Sequence, residues 1–146
     1  MGDQMDIKSA FGNNGTVYED GMKIRKAVFI EEQNIDAALE QDENESRCRY
    51  YVGYVNQEPV TTARIMQTDE GTLVQRVCTL KAYRHQGLSS QIFQAIEQDA
   101  KAKEIKHIWL FAQDHAQKFY LNNGFTVVGD QVMEAGIPHH KMVKEI

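Results

Sequence analysis

The feature that most constrains this chain is residues 72–103, where a β-rich run, a glycine-bearing turn and an amphipathic helix follow one another directly. Leu88, Ile92, Ala95, Ile96 and Ala100 recur at helical spacing over residues 87–103, so one face of that helix must be buried. Between strand and helix lies Arg84-His85-Gln86-Gly87-Leu88-Ser89-Ser90. A helix start carries unpaired backbone N–H groups and the positive end of the helix dipole, so such a turn can hold a phosphate. Gly87 has no Cβ and lets a ligand come close to the backbone. Alone, one glycine beside an arginine fits a plain strand-to-helix turn equally well.

The rest of the chain reads as further layers around that unit. A short strand is expected around residues 5–9, and a first helix over residues 17–32, with Val17, Met22, Ile24, Ala27, Val28 and Phe29 on one broad apolar face. Residues 34–47 are dense in carboxylates and poor in apolar groups, which predicts a loop or a short exposed helix. Residues 49–55, 59–67 and 72–80 read as three strands joined by turns, an antiparallel meander. Residues 107–112 read as a buried strand that includes Trp109. Asp114 is a candidate N-cap for a short helix ending near Asn122, and Gly124 suits the residue after a helix. Residues 125–128 and 141–145 are expected strands, and residues 129–140, with Gly136 and Pro138, an expected loop or wide turn. The order predicts an α/β layered domain whose central sheet is mixed, mostly antiparallel and twisted, with helices on both faces.

Composition narrows what such a domain can do. At 146 residues, with 42% hydrophobic and 25% charged residues, the chain suits one globular domain with a real core, residues 1–146. Its formal charge is −5 and its basic residues are scattered, which argues against a nucleic-acid partner and against an RNA-binding α/β sandwich. Cys48 and Cys78 are too few for a disulfide framework and are not spaced as a metal-binding pair, which suits a reduced, cytoplasmic setting without metal. No basic-then-apolar leader opens the chain, and apolar runs such as residues 27–30 and 108–112 are too short to cross a membrane.

A second cluster, Gln113, Ala116, Phe119, Tyr120, Gly124 and Phe125, follows the next strand, and by itself reads as aromatic core packing closed by a glycine. Together the two clusters resemble the GNAT acetyltransferase superfamily, whose loop runs Q/R-x-x-G-x-G/A and whose later helix runs roughly N-x-x-A-x-x-F-Y-x-x-x-G-F. Val28-Phe29-Ile30-Glu31-Glu32-Gln33 and Gly136-Ile137-Pro138-His139 are similar to the V-F-x-x-E-Q and G-I-P-H motifs of a small single-domain subgroup. The resemblance covers about residues 21–142. Two positions depart from it: Ser89 replaces the second small residue of the loop, and Gln113 stands where many relatives have Asn.

The resemblance implies an N-acetyltransferase that uses acetyl-CoA as cosubstrate and transfers the acetyl group directly to a primary amine of a small molecule or peptide. It implies that the backbone of Val77, Cys78 and Thr79 pairs with the pantetheine arm like an added strand. Arg84, His85, Gln86, Gly87, Leu88, Ser89 and Ser90 would hold the pyrophosphate, and Gln113 would meet the pantetheine. Tyr120, a phenol of pKa about 10 in its ordinary state, is the expected proton donor to the departing thiolate. Glu31 and Glu134 are the leading candidates for a general base, with Glu32 and Asp42 beside them and a water chain an equal alternative.

Other residues carry plainer expectations. Cys78 reads as a buried thiol rather than a nucleophile. His139 and His140 should point to opposite faces, which disfavours a shared metal and leaves loop contacts or acceptor binding for His139. Arg64 and Arg76 could pair with the acidic segment or line the acceptor cleft. A non-catalytic acyl-CoA-binding module on the same fold is the competing reading, and a homodimer is left open.

Overall fold

The computed structural model describes residues 5–146; the first four residues of the polar opening stretch lie outside the described residues. The chain runs β1 (Met5–Phe11), α1 (Thr16–Arg25), a π-helical stretch (Lys26–Glu32), α2 (Ala37–Glu40), a 3₁₀ turn (Glu45–Arg47), β2 (Arg49–Val55), β3 (Glu58–Thr68) and β4 (Gly71–Thr79). It continues with α3 (Leu88–Ala102), β5 (His107–Gln113), a 3₁₀ turn (Asp114–Ala116), α4 (Gln117–Asn122), β6 (Thr126–Glu134) and β7 (Ile137–Glu145). The strands make one sheet in the order β1-β2-β3-β4-β5-β7-β6. Short turns force β2, β3 and β4 into antiparallel pairs, whereas the α3 crossover brings β5 in parallel to β4.

Alternate residues of the meander feed two cores, as the two-residue period of a strand requires. Tyr51, Ala63 and Val74 pack with Ile92, Phe93 and Ile96 of α3. Val52, Tyr54 and Cys78 pack with Ile24, Val28 and Phe29 on the opposite face. The sheet is thus mostly antiparallel with helices on both faces, as expected from the sequence.

In β4, Val74 and Cys78 face opposite cores, although four residues apart in a regular strand they would share a face. The reason is a bulge. Thr62 pairs with Cys78 and Arg64 with Gln75, so Ala63 opposes both Arg76 and Val77, and Arg76 adopts φ +57°. The β4–β5 pairing is short, limited to Thr72 with Ile108 and Leu73 with Trp109, so the strands part immediately afterwards. On its other side β5 stays paired with β7 along its whole length.

Four expectations are corrected. Residues 34–47 do hold a short helix and a turn, but Glu40 and Glu45 are buried, because Arg25 and Arg64 meet them inside the protein. The first helix widens from Lys26 into π geometry, as shown by the amide of Gln33 donating to the Val28 carbonyl. Asp114 does not cap the short helix: its carboxylate instead receives hydrogen bonds from the side chains of His140, Gln131 and Gln117. Residues 129–140 are a strand hairpin rather than a loop. Ala135 and Gly136, at φ +50° and +74°, make its tight turn. Pro138 is tolerated because at that point β7 has β6 on one side only, the β5 pairing starting at His139.

Candidate active site

A cleft of about 930 Å³ opens where β4 and β5 part. Its volume falls in the range of cofactor and substrate sites, roughly 300–1,000 Å³. The π-helical stretch, the bulged end of β4, the Arg84–Ser90 loop, Tyr120 and the β6–β7 hairpin all border it.

The loop residues do different jobs. Gly87 takes φ +76° at the head of α3, a conformation that other residues reach only with strain. A Cβ placed on it would meet no protein atom within 4 Å, and Gly87 borders the cleft, so the space beside it is open. No side chain caps α3, and the N–H groups of its first turn have no side-chain acceptor. Leu88 turns its side chain into a small core with Val55 and Val60. The Ser89 hydroxyl lies 2.7 Å from that of Thr79, itself 2.8 Å from that of Thr61, so this hydroxyl is engaged within the protein. His85 and Ser90 line the cleft; Gln86 does not, and is exposed.

Arg84 forms a fork with Glu32: Nη1 donates to Oε2 at 2.7 Å and Nη2 to Oε1 at 2.6 Å, while Nε donates to the Thr79 carbonyl at 2.9 Å. These hydrogen bonds hold the Glu32 carboxyl below the usual carboxylate range. The guanidinium therefore fastens the loop to the helical wall and to the end of β4. Glu31, one residue earlier, is exposed and does not border the cleft, whereas Glu134 does, from the end of β6. The Gln113 amide donates to the Gln33 side chain at 3.1 Å and its oxygen contacts His115, an arrangement that links β5 to the helical wall.

Tyr120 sits among Phe93, Phe119 and Phe125 in edge contacts, with ring centroids 5.7, 5.0 and 5.8 Å away. The aromatic cluster expected from the sequence exists, yet the phenol also borders the cleft, and its hydroxyl has no hydrogen-bond partner among the described residues. Burial raises its pKa well above that of a free phenol, so it is protonated at neutral pH. Cys78, also on the cleft, is a free thiol that burial likewise holds protonated.

At one side of the cleft lies a charge cluster, in which Arg64 and Arg76 pair with the acidic segment, one of the two outcomes the sequence left open, and to which Arg25 adds a cation the sequence reading missed. Arg25 donates from Nε to Glu40 at 2.7 Å and from Nη2 to Glu45 at 2.8 Å; Arg64 binds Asp42 at 2.7 Å and Glu45 at 2.9 Å. Arg76, projecting from the bulge, donates to the Glu40 carbonyl at 2.9 Å. Burial would raise the Glu45 carboxyl, but hydrogen bonds from Arg25 and Tyr50 and the charges of Arg25 and Arg64 overcome it and hold the group far below the carboxylate range. Asp42 is lowered for the same kind of reason: hydrogen bonding and attraction from Arg64 outweigh burial. The signal in the sequence was Arg25 itself, a charged residue beside Ile24 on the apolar face of a helix and followed by a surplus of carboxylates. Among the described residues no group of three or more His, Cys, Asp or Glu is arranged to hold a metal ion, and no helix is long and apolar enough to cross a membrane.

A splayed parallel pair, a bulge beside it and a glycine-headed helix at its mouth thus define the cleft. Residues 11–146 match the family model of the acetyltransferase (GNAT) domain, and the chain belongs to this family of acyltransferases. The uncharacterized N-acetyltransferase YjcF of Bacillus subtilis is 32% identical over 140 residues, covering 95% of this chain and 100% of that protein. A crystal structure of a Lactobacillus plantarum protein assigned as an N-acetyltransferase superposes with a TM-score of 0.88 at 33% identity, covering 97% of each chain. A GNAT family acetyltransferase from Elizabethkingia anophelis, solved with acetyl-CoA bound, shares the fold at a TM-score of 0.67 and 16% identity, covering 99% of this chain and 100% of that one.

Proposed function

We propose that this acyltransferase moves an acetyl group from acetyl-CoA to a primary amine by direct transfer. The observation that carries the reading is Tyr120, a protonated phenol on the cleft whose hydroxyl lacks a hydrogen-bond partner among the described residues. The hydroxyl therefore opens on the cleft with its proton free to be given.

The fit of the cosubstrate rests on three features of the chain. Beyond Leu73 the edge of β4 that faces β5 has no strand against it, so Val77, Cys78 and Thr79 can pair with an extended pantetheine arm by backbone hydrogen bonds. The uncapped head of α3 offers N–H donors to a pyrophosphate beside the open space at Gly87. Because Glu32 already neutralises Arg84, backbone donors of the loop supply most of the anion binding. That a protein of the same fold holds acetyl-CoA agrees with this assignment.

In the reaction the amine nitrogen bonds to the thioester carbon, the carbonyl oxygen gains charge, and the C–S bond then breaks. A backbone N–H in the Val77–Thr79 stretch would stabilise the oxyanion without reorganising. Tyr120 holds its proton until the thiolate forms and then donates to it. The Cys78 thiol is kept protonated by burial and is a poor nucleophile, which favours direct transfer over an acetyl-cysteine intermediate. Glu134, exposed at the end of β6, places a negative charge at the mouth and favours a cationic acceptor.

The test is release of coenzyme A thiol with a panel of primary amines. Tyr120→Phe should cut kcat by about 100-fold while leaving acetyl-CoA affinity within about twofold, the pattern of a group that acts in the transition state. Binding of acetyl-CoA without thiol release by any amine would instead support the acyl-CoA-binding module.

A further inference from the structure

We infer that His139 is the general base that takes the proton from the acceptor amine, an assignment that rests on the acetyl-transfer reading above. His139 follows Pro138 on β7 and pairs with Gln113 of β5, and both residues border the cleft. Its ring is buried, with 8% exposure. Nδ1 lies 2.7 Å from the Ile137 carbonyl, which can only accept, so Nδ1 carries the hydrogen. In the neutral ring that leaves a lone pair on Nε2, and Nε2 has no hydrogen-bond partner among the described residues. The backbone thus fixes both the tautomer and the orientation of the imidazole, as a base that must meet an incoming ammonium requires.

The carboxylates on the cleft are paired or misplaced; Glu40, whose Oε1 has no hydrogen-bond partner, is bound through Oε2 by Arg25 and faces Arg76. Glu32 is held by Arg84, and Asp42 by Arg64 and Arg76. From the short turn after β5, Asp114 is engaged by His140 and the exposed His115 by Gln113. Glu134 of β6 borders the cleft but is exposed at a hairpin end. Imidazole, moreover, exchanges protons near neutral pH more readily than other side chains. In the step His139 performs, Nε2 takes one proton from the ammonium before attack, which frees the lone pair that bonds to the thioester carbon, and that proton later leaves to water. The adduct nitrogen then sheds its second proton, which restores the Tyr120 phenol after Tyr120 protonates the departing thiolate.

The experiment uses the full chain with benzylamine, glucosamine, spermidine and a free N-terminal peptide as acceptors. His139→Asn keeps an N–H donor for the Ile137 carbonyl and removes the Nε2 lone pair. It should leave melting temperature and acetyl-CoA affinity unchanged and lower kcat by about 100-fold. The deficit should shrink as pH rises toward the pKa of the free amine, about 10.4 for an alkylamine, where the acceptor arrives already deprotonated. Glu134→Gln should keep the wild-type shape of the pH profile, its effect falling on acceptor KM through the charge lost at the mouth. Wild-type turnover matched by His139→Asn at every pH would overturn the assignment alone, and a loss confined to Glu134→Gln would move the role there. Absence of wild-type turnover with all four amines would overturn the acetyl-transfer reading and this assignment with it.

Discussion

Two charged regions of this molecule treat their polar groups in opposite ways. Along one side of the cleft, Arg25, Arg64 and Arg76 face Glu40, Asp42 and Glu45, three cations to three anions, in pairs as short as 2.7 Å. At the mouth of the cleft, the Arg84–Ser90 loop has its guanidinium neutralised, yet the head of α3, the free edge of β4 and the Tyr120 hydroxyl keep donors without a side-chain or strand partner among the described residues. The first region pairs its charges with one another, Glu40 Oε1 alone among its buried side-chain atoms lacking a hydrogen-bond partner, and builds a wall. The second is complementary to something absent. Donors that open on one cleft and have no partner among the described residues mark where a ligand belongs.

Breaking the wall should have the largest effect. Arg25→Ala would leave Glu40 and Glu45 buried without their main counter-charge, which costs about 3–5 kcal/mol; urea unfolding measures it, and a loss below about 1 kcal/mol would show that the cluster is solvated. Substitution at the mouth should separate binding from folding. Gly87→Val strains the left-handed head of α3 by about 1–2 kcal/mol, and its side chain enters the open space beside the loop, so acetyl-CoA affinity should fall by about 100-fold or more, close to 2.7 kcal/mol. Equal acetyl-CoA affinity in Gly87→Val and wild type would remove the pyrophosphate from this loop. The smallest effect is expected at the junction. Glu32 and Arg84 are both partly exposed, so Glu32→Gln should change stability by less than about 1 kcal/mol. A larger loss would mean that this pair belongs to the scaffold after all.

The local features of the fold were legible in the chain because local chemistry sets them. Residues 49–55 are β2 as expected, the amphipathic run became α3, and Gly87 takes the positive φ that glycine permits. What stayed hidden depends on partners far away in the sequence. Glu40 and Glu45 read as surface carboxylates because Arg25 and Arg64 lie 15 to 20 residues away or more, and Arg84 read as a phosphate ligand although its partner Glu32 is 52 residues distant. Gly129, Gly136 and Pro138 suggested a loop because residues that break structure also make bulges, tight turns and strand ends; the β6–β7 register skips between Val128 and Val132, near Gly129 at φ +80°. Tyr120 and His139 were visible as residue types, but only the hydrogen bonds they make or lack distinguish them from core aromatics.

The central claim is that the cleft at the head of α3 binds the pyrophosphate and pantetheine of acetyl-CoA, and isothermal titration of the wild-type protein tests it most directly. Saturable binding of both acetyl-CoA and free CoA, with ATP much weaker, is the predicted result, since the β4 edge recognises the pantetheine arm that ATP lacks. No binding of acetyl-CoA at millimolar concentration would contradict the account.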